Sequence, residues 1–175
     1  MDIIAQESKT GILKDICEIS LVVSDNPKAK GIETARLHNI PVAVVPSKNR
    51  KKEEHEKEIK KYLQKYNPDY IVLAGYMRIL SPSFIKNYRN RIINIHPADT
   101  SKYQGKEGYL WAYQNKIKKT AVTVHYVDEG IDTGEVIAKK EFSIEELKTY
   151  EEIKARGLAI EHRFYSRVLR ELFKR

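Results

Sequence analysis

Cysteine and long apolar segments are scarce in this chain of 175 residues. Its single cysteine, Cys17, excludes a disulfide within the chain. No run approaches the ~20 apolar residues that a membrane-spanning helix needs, and residues 1–8 do not resemble a signal peptide. The length suits one hydrophobic core. We therefore expect a single cytoplasmic domain over residues 1–175, with no membrane partner.

Glycine is too scattered to form a nucleotide-binding loop. The eight glycines make neither the G-x-G-x-x-G spacing of dinucleotide-binding folds nor a P-loop. Hydrophobic residues, at 41%, and charged residues, at 32%, are balanced as in ordinary globular domains. This balance excludes disorder, collagen-like repeats and a coiled coil.

Positive charge is in excess. Lysine and arginine together number 32 against 24 acidic residues, so the net charge is +8, which favours anionic small molecules or nucleic acid as partners. The most basic run, residues 48–61, has four glutamates among its cations and no aromatic residue before Tyr62. Single-strand binding patches need exposed aromatic residues among the cations, so a solvated helix face is the better interpretation. We expect small-molecule substrates and no nucleic acid.

Short stretches rich in β-branched residues alternate with longer amphipathic patterns. Strands are predicted at residues 18–24, 41–45, 70–74, 91–96, 120–127 and 135–142. Helices are predicted at residues 28–38, 50–66, 81–87, 108–115 and 150–173. This alternation predicts an α/β fold with a largely parallel sheet, helices on both faces, and early strands buried on both faces.

Two polar residues, Asn94 and His96, end the predicted strand at residues 91–96. The strand period of two places both side chains on one face, and Pro97 ends the strand there. Open α/β sheets bind ligands at the carboxyl ends of their strands, so the pair is a catalytic candidate. The alternative is a capping asparagine with a hydrogen-bonded core histidine.

The loop at residues 128–134 carries three acidic residues and two glycines between two predicted strands. It is not a calcium loop, because Gly130 and Lys139 stand at the third and twelfth positions, where that pattern needs oxygen ligands. Asp132, held between glycines, can approach a ligand closely. The alternative is a solvated acidic hairpin turn. No metal-ligand cluster is visible in the sequence, so we expect no metal.

Glu161 falls within the apolar stripe of the last helix, near Leu158, Phe164 and Tyr165. A carboxylate in that position needs a partner. That partner is either a nearby arginine or lysine, which would make the role structural, or a donor group on a ligand. Four other histidines are interpreted as structural, His125 in the core and three at the surface, His38, His55 and His162.

Four motifs together resemble the formyltransferase family across nearly the whole chain. They are GYMRILSP at residues 75–82, NIHP at 94–97, VHYV at 124–127 and GIDTG at 130–134. The Asn-x-His-Pro element with its downstream aspartate is typical of the family. The Met-Arg-Ile-Leu-Ser-Pro element is similar to the branch that formylates glycinamide ribonucleotide in purine biosynthesis. The resemblance implies a Rossmann-like formyltransferase fold and a transfer of the formyl group of 10-formyltetrahydrofolate to the amine of that nucleotide.

The resemblance also implies roles for individual residues. Asn94 and His96 are expected to donate to the oxygen that becomes negatively charged, while Asp132 orients His96 and relays a proton through water. A folate pocket is expected at Met77, Arg78, Ile79, Leu80, Asp128, Glu129, Gly130 and Ile131. Glycinamide ribonucleotide is expected to contact Tyr76, Ile95, Pro97 and Glu161, with Lys52 as a cation for the phosphate.

The sequence departs from this family at two places. Residues 99–107 read DTSKYQGKE, where the family more often has Ser-Leu-Leu-Pro before the Lys-Tyr and Pro-Gly after it, so we expect an altered loop beside unchanged chemistry. The family's first strand and Gly-Ser-rich phosphate loop precede its first helix, whereas this chain begins inside that helix. The expected fold therefore lacks them. Alternatives are an impaired or noncatalytic folate-binding remnant, or a formyltransferase for another amine such as a sugar nucleotide. A monomer or a homodimer is expected.

Overall fold

The computed structural model describes residues 1–174, in which α-helices alternate with β-strands and two compact units can be distinguished. The first unit comprises Met1–Tyr70 and the carboxyl-terminal residues from Leu169, and the second comprises Ile71–Val168. Within the described residues, no helix has the length and apolar character that a membrane span requires.

The first unit holds a short parallel ladder between helices. Its elements are α1 (Asp2–Thr10), β1 (Val22–Ser24), α2 (Lys30–Leu37), β2 (Val42–Val44) and α3 (Lys52–Tyr66). Strand β1 pairs in parallel with β2, as expected for strands joined by a crossover helix. Ala5 of α1, Ala35 of α2 and Ile40 form the buried cluster beside this ladder, because small residues let the helices approach the strands closely.

Helix α3 corrects two expectations about residues 48–61. His55 was expected at the surface, but it is completely buried, and Glu56 is buried as well. The reason is the helical period, since His55, Ile59 and Leu63 follow one another at intervals of four and share a face. The interpretation as a solvated face holds for the exposed residues, where Lys61 pairs with Glu58 at 2.6 Å.

The second unit contains a four-stranded sheet. Its elements are β3 (Ile71–Val72), α4 (Pro82–Asn87), β4 (Ile92–His96), α5 (Gly108–Gln114), β5 (Lys119–Tyr126), β6 (Val136–Ser143) and α6 (Tyr150–Phe173), whose last residues belong to the first unit. The strand order is β3-β4-β5-β6. Tyr165 of α6 is buried, and its hydroxyl lies 3.0 Å from the carbonyl oxygen of Leu73 and 3.2 Å from that of Ile93. These contacts hold α6 against β3 and β4.

The direction and the burial of the strands agree with the sequence prediction only in part. The β1–β2 and β3–β4 ladders are parallel, as expected, but β5 runs antiparallel to both β4 and β6. A short loop without a crossover helix joins β5 to β6, which permits only an antiparallel pairing. The early strands are partly buried rather than buried on both faces, because each is two or three residues long and has one hydrogen-bonded neighbour.

Candidate active site

The central strand β4 and its neighbour β5 present polar side chains on one face. Asn94 and His96 alternate with apolar residues along β4, so they point the same way. In the antiparallel register, Asn94 lies opposite His125 and His96 lies opposite Thr123. Residues that are directly opposite in such a ladder share a face. The antiparallel pairing of β4 with β5 therefore places His125 beside the two predicted residues, Asn94 and His96.

The loop between β5 and β6 brings Asp132 to this cluster. One oxygen of its carboxylate, Oδ2, lies 3.2 Å from Nδ1 of His96 and accepts a hydrogen bond of 2.9 Å from the amide of Gly105. The other oxygen, Oδ1, lies 3.4 Å from Nδ2 of Asn94 and 3.5 Å from Nε2 of His125. The structure thus brings together Asn94, His96 and Asp132, the three residues predicted as catalytic.

The backbone of this loop is constrained so that Asp132 points inwards. Asp132 has φ of 53°, a left-handed conformation that is uncommon outside glycine and that occurs often at functional sites. Asp128 accepts hydrogen bonds from the amide of Gly130 and the hydroxyl of Thr133. A Cβ atom at Gly134 would lie 1.8 Å from the carbonyl oxygen of Tyr126, so the close approach requires glycine.

A second loop, residues 99–107, contacts both members of the His96–Asp132 pair. The carbonyl oxygen of Tyr103 lies 3.2 Å from Nε2 of His96, and Gly105 donates its amide to Asp132. The Tyr103 ring stacks on Trp111 of α5 at 4.8 Å. Gly105 has φ of 106°, which favours glycine at that position. The expected altered loop therefore lies directly on the candidate site.

The two partners differ in their protonation. Burial lowers the pKa of His96 below its ordinary value, and the Asp132 carboxylate offsets this only in part. Burial raises the pKa of Asp132, but the hydrogen bonds from His125 and Gly105 and the nearby histidines outweigh it, so the net direction is down. Near neutral pH the pair is a carboxylate beside a neutral imidazole. A neutral ring can donate to either Asp132 or the Tyr103 carbonyl, whereas a protonated ring can donate to both.

Comparison with known proteins agrees with this geometry. The family model described as "Formyl transferase" matches residues 2–169. The chain belongs to the formyl transferase family. The family and fold expected from the four sequence motifs are thereby confirmed, as is the expectation of a formyltransferase.

Proteins with sequence or structural similarity to this chain match most of its length. A phosphoribosylglycinamide formyltransferase of Bacillus subtilis is 38% identical over 87% of this chain and 79% of its own length. The crystal structure of the phosphoribosylglycinamide formyltransferase from Bacillus halodurans has a TM-score of 0.92 at 40% identity, over 98% of this chain and 88% of that one. A formyltetrahydrofolate deformylase of Haemophilus influenzae is 32% identical over 87% of this chain, which spans 54% of that protein's length.

His125 is the part of the candidate site that the sequence did not predict. It is buried, as expected for a core histidine, yet its Nε2 faces Asn94 at 3.4 Å and Asp132 at 3.5 Å. Its Nδ1 lies 2.8 Å from the carbonyl oxygen of Tyr126. An antiparallel pairing of β4 and β5 would have predicted that His125 lies opposite Asn94, but the sequence predicted a largely parallel sheet.

The residues predicted to bind folate lie in two loops of the second unit. Met77, Ile79 and Ile131 are large apolar side chains exposed to solvent, whereas Leu80 is buried. Arg78 is half-buried, and the exposed positions also include Asp128, Glu129 and Gly130. The alternative of a solvated hairpin turn describes these last three residues but not Asp132, whose side chain is 14% exposed.

Glu161 has a structural partner, Tyr109, that the sequence pattern did not predict. The hydroxyl of Tyr109 donates to its Oε1 at 2.6 Å, in place of the arginine or lysine that was considered. Burial raises the pKa of Glu161, and burial together with the carboxylate raises that of Tyr109. The Tyr109 ring packs on Gly157, where a Cβ atom would lie 2.1 Å from Cζ of the ring. Gly157 thus makes room for the pair.

The remaining residues that were predicted to contact the nucleotide lie at different places in the fold. Ile95 and Pro97 are half-buried, within and just after β4, and Tyr76 is half-buried between β3 and α4. Lys52 is the first residue of α3 in the first unit. Within residues 1–174, no group of three or more His, Cys, Asp or Glu side chains is placed so that it could hold a metal ion.

Proposed function

We propose that this protein transfers the formyl group of 10-formyltetrahydrofolate to the amine of glycinamide ribonucleotide. The observation that carries the proposal is the contact of His96 with Asp132, with Asn94 beside them at the end of β4. The similarity to phosphoribosylglycinamide formyltransferases over 87% of the chain supports the choice of substrate.

The chemistry needs donors for a developing negative charge. As the amine nitrogen bonds to the formyl carbon, the carbonyl oxygen becomes an oxyanion, and the bond from that carbon to the folate nitrogen then breaks. Asn94 donates to this oxygen through Nδ2, and His96 does so through Nε2. Removal of one such donor typically costs about 2.7–4 kcal/mol of transition-state stabilisation. The Tyr103 carbonyl, which is 3.2 Å from Nε2, keeps the His96 ring oriented until the oxyanion forms, and Nε2 then donates to the oxyanion.

Asp132 handles the charge that appears on His96. Its lowered pKa keeps it a carboxylate near neutral pH, so it stabilises a protonated His96 through Nδ1. The proton lost by the attacking amine passes through water and Asp132 to His96, which carries the positive charge while the oxyanion exists, and the proton ends on the folate nitrogen as that bond breaks. No covalent bond to the protein is needed.

The remaining candidates divide between the two substrates. The exposed apolar residues Met77, Ile79 and Ile131 suit a planar ring system such as that of folate, with Arg78 beside them for its acidic portion. Glu161 accepts from a ribose hydroxyl, and Tyr76, Ile95 and Pro97 contact the nucleotide. Lys52 stays the predicted cation for the phosphate. The net charge of +8 favours both anionic substrates.

Hydrolysis of formyltetrahydrofolate is a second candidate function. A deformylase relative is 32% identical over 87% of the chain, and water would replace the amine as acceptor at the same cluster. The two functions differ in whether an amine is required. A sugar nucleotide as acceptor and a noncatalytic folate-binding role stay as further alternatives.

The deciding assay combines the purified protein with 10-formyltetrahydrofolate, with and without glycinamide ribonucleotide, and follows products by mass spectrometry. We expect formylated nucleotide and tetrahydrofolate in equal amounts, and only when both substrates are present. His96→Asn should lower the rate by about a hundredfold or more, while His38→Asn, at the end of α2, serves as the matched control. Formate without the amine would indicate the hydrolase, and folate binding without any product would indicate the noncatalytic alternative.

A further inference from the structure

Asp99 is a buried carboxylate that the proposed chemistry does not use. It begins the loop at residues 99–107 and is 6% exposed. Its Oδ1 accepts from the amide of Ser101 at 3.1 Å and from the Ser101 hydroxyl at 2.7 Å. Its Oδ2 accepts from Nζ of Lys139 at 2.9 Å, with Nζ of Lys102 at 3.9 Å. A buried charge with this many donors is held in one position.

Lys139 reaches Asp99 from the sheet that carries the active site. It lies on β6 opposite Thr123 of β5, and Thr123 lies opposite His96 of β4. These three residues form a row on one face of the sheet, since directly opposite residues share a face. The hydroxyl of Thr123 also donates to the carbonyl oxygen of Ala98 at 2.7 Å. The start of the loop is therefore tied to the strands beside and beyond His96.

The other end of the loop contacts the catalytic pair. The amide of Tyr103 donates to the carbonyl oxygen of Asp99 at 2.9 Å, and the carbonyl oxygen of Tyr103 lies 3.2 Å from Nε2 of His96. Two residues later, Gly105 donates to Asp132 at 2.9 Å. The loop that begins at the anchored Asp99 thus contacts both groups of the pair.

We propose that Asp99 and Lys139 are positioning residues, whose ion pair holds the loop so that Tyr103 and Gly105 orient His96 and Asp132. The ion pair and the Ser101 hydrogen bonds stiffen the loop, because they fix the side chain of its first residue.

The electrostatics of the pair support this arrangement. Although burial raises the pKa of Asp99, its hydrogen bonds with Ser101 and Lys139 lower it overall. The same hydrogen bond raises the pKa of Lys139, because it favours the charged form of the amine. Both groups are charged across the neutral range, so the contact persists wherever the pair His96 and Asp132 operates. The Lys139 side chain is 35% exposed, which leaves the contact open to screening by salt.

The test uses variants that remove the ion pair without touching the catalytic residues. Lys139→Met keeps the aliphatic stem, Asp99→Asn keeps the shape, and Lys139→Arg restores the charge. Lys140→Met, the neighbouring exposed lysine on β6, is the matched control. We expect Lys139→Met and Asp99→Asn each to lower kcat by about tenfold with both KM values within twofold, since misplacement of reacting groups acts on the chemical step. Lys139→Arg and Lys140→Met should stay near the parent rate.

The double variant decides whether the two residues act together. If they do, Asp99→Asn with Lys139→Met lowers kcat no further than either single change. In the double variant the buried carboxylate and its cation are both absent, so this variant can still be measured if Lys139→Met does not fold. Multiplied losses of about a hundredfold, or an unchanged kcat in all variants, would overturn the proposal.

A readout without substrate separates this inference from the proposed function on which its kinetic part rests. We expect the NMR signals of the His96 ring to shift in Lys139→Met and in the double variant, while those of His38 stay in place. If the parent protein shows no turnover but these signals shift, the positioning inference stands and the proposed function fails. Unshifted His96 signals in both variants would refute the positioning role whatever the activity.

Discussion

The substitution Asp132→Asn is the sharpest test of the His96–Asp132 pair. Asparagine keeps the shape of the side chain but loses its charge, and it replaces one acceptor oxygen by an NH2 group. Oδ2 serves Gly105 and His96, and Oδ1 faces the Asn94 amide. Whichever way the new amide points, its NH2 group meets a donor at one of these contacts. The variant therefore loses a partner as well as the charge.

The size of the effect follows from the 3.2 Å distance between Nδ1 of His96 and the Asp132 carboxylate. Opposite unit charges at that separation attract by about 5 kcal/mol at an effective dielectric constant of ~20. The burial that opposes a charge on His96 is the same in parent and variant, so Asp132→Asn loses only this attraction, of which about 3–4 kcal/mol is left after screening by solvent at Asp132. That free energy corresponds to a loss of roughly 10²–10³-fold in kcat.

The assay is steady-state formyl transfer, with a thermal melt to confirm that the variant is folded. Glu135→Gln is the matched control, because Glu135 is an exposed carboxylate three residues along the same loop. We expect Glu135→Gln to retain the parent kcat. If Asp132→Asn keeps a kcat within threefold of the parent between pH 6 and 9, the account of the pair is refuted.

Three further outcomes are expected. Gly157→Ala should lower the free energy of unfolding by about 1–3 kcal/mol, because the new Cβ meets the Tyr109 ring, and an unchanged urea midpoint would contradict this. Glu161→Gln should raise KM for the ribonucleotide while leaving KM for the folate within twofold, and the reverse pattern would count against its assignment. The lowered pKa of His96 means that the unfolded chain binds more protons just below pH 6.5, so the parent should lose stability relative to His96→Asn as the pH falls through that window, as measured by urea unfolding.

Local sequence patterns predicted the position of most helices and strands and the three residues proposed as catalytic. The predicted strand at residues 91–96 corresponds to β4 and the helix at residues 150–173 to α6, because side-chain periodicity depends only on residues within a pleat or a turn. The prediction that Asn94 and His96 lie at the end of a strand, before Pro97, also depended only on neighbouring residues. Membership of the formyl transferase family followed from short motifs whose chemistry requires particular residue types.

Contacts across the sheet were decided by the tertiary structure alone. Asn94 and His125 are separated by 31 positions in the chain, and Asp99 and Lys139 by 40, so no local period relates them. They meet because β5 and β6 run antiparallel to their neighbours, and a shift of register by one residue would turn each side chain to the other face. The sequence by itself determined which residues could perform the chemistry, whereas strand direction and register determined which partners surround them.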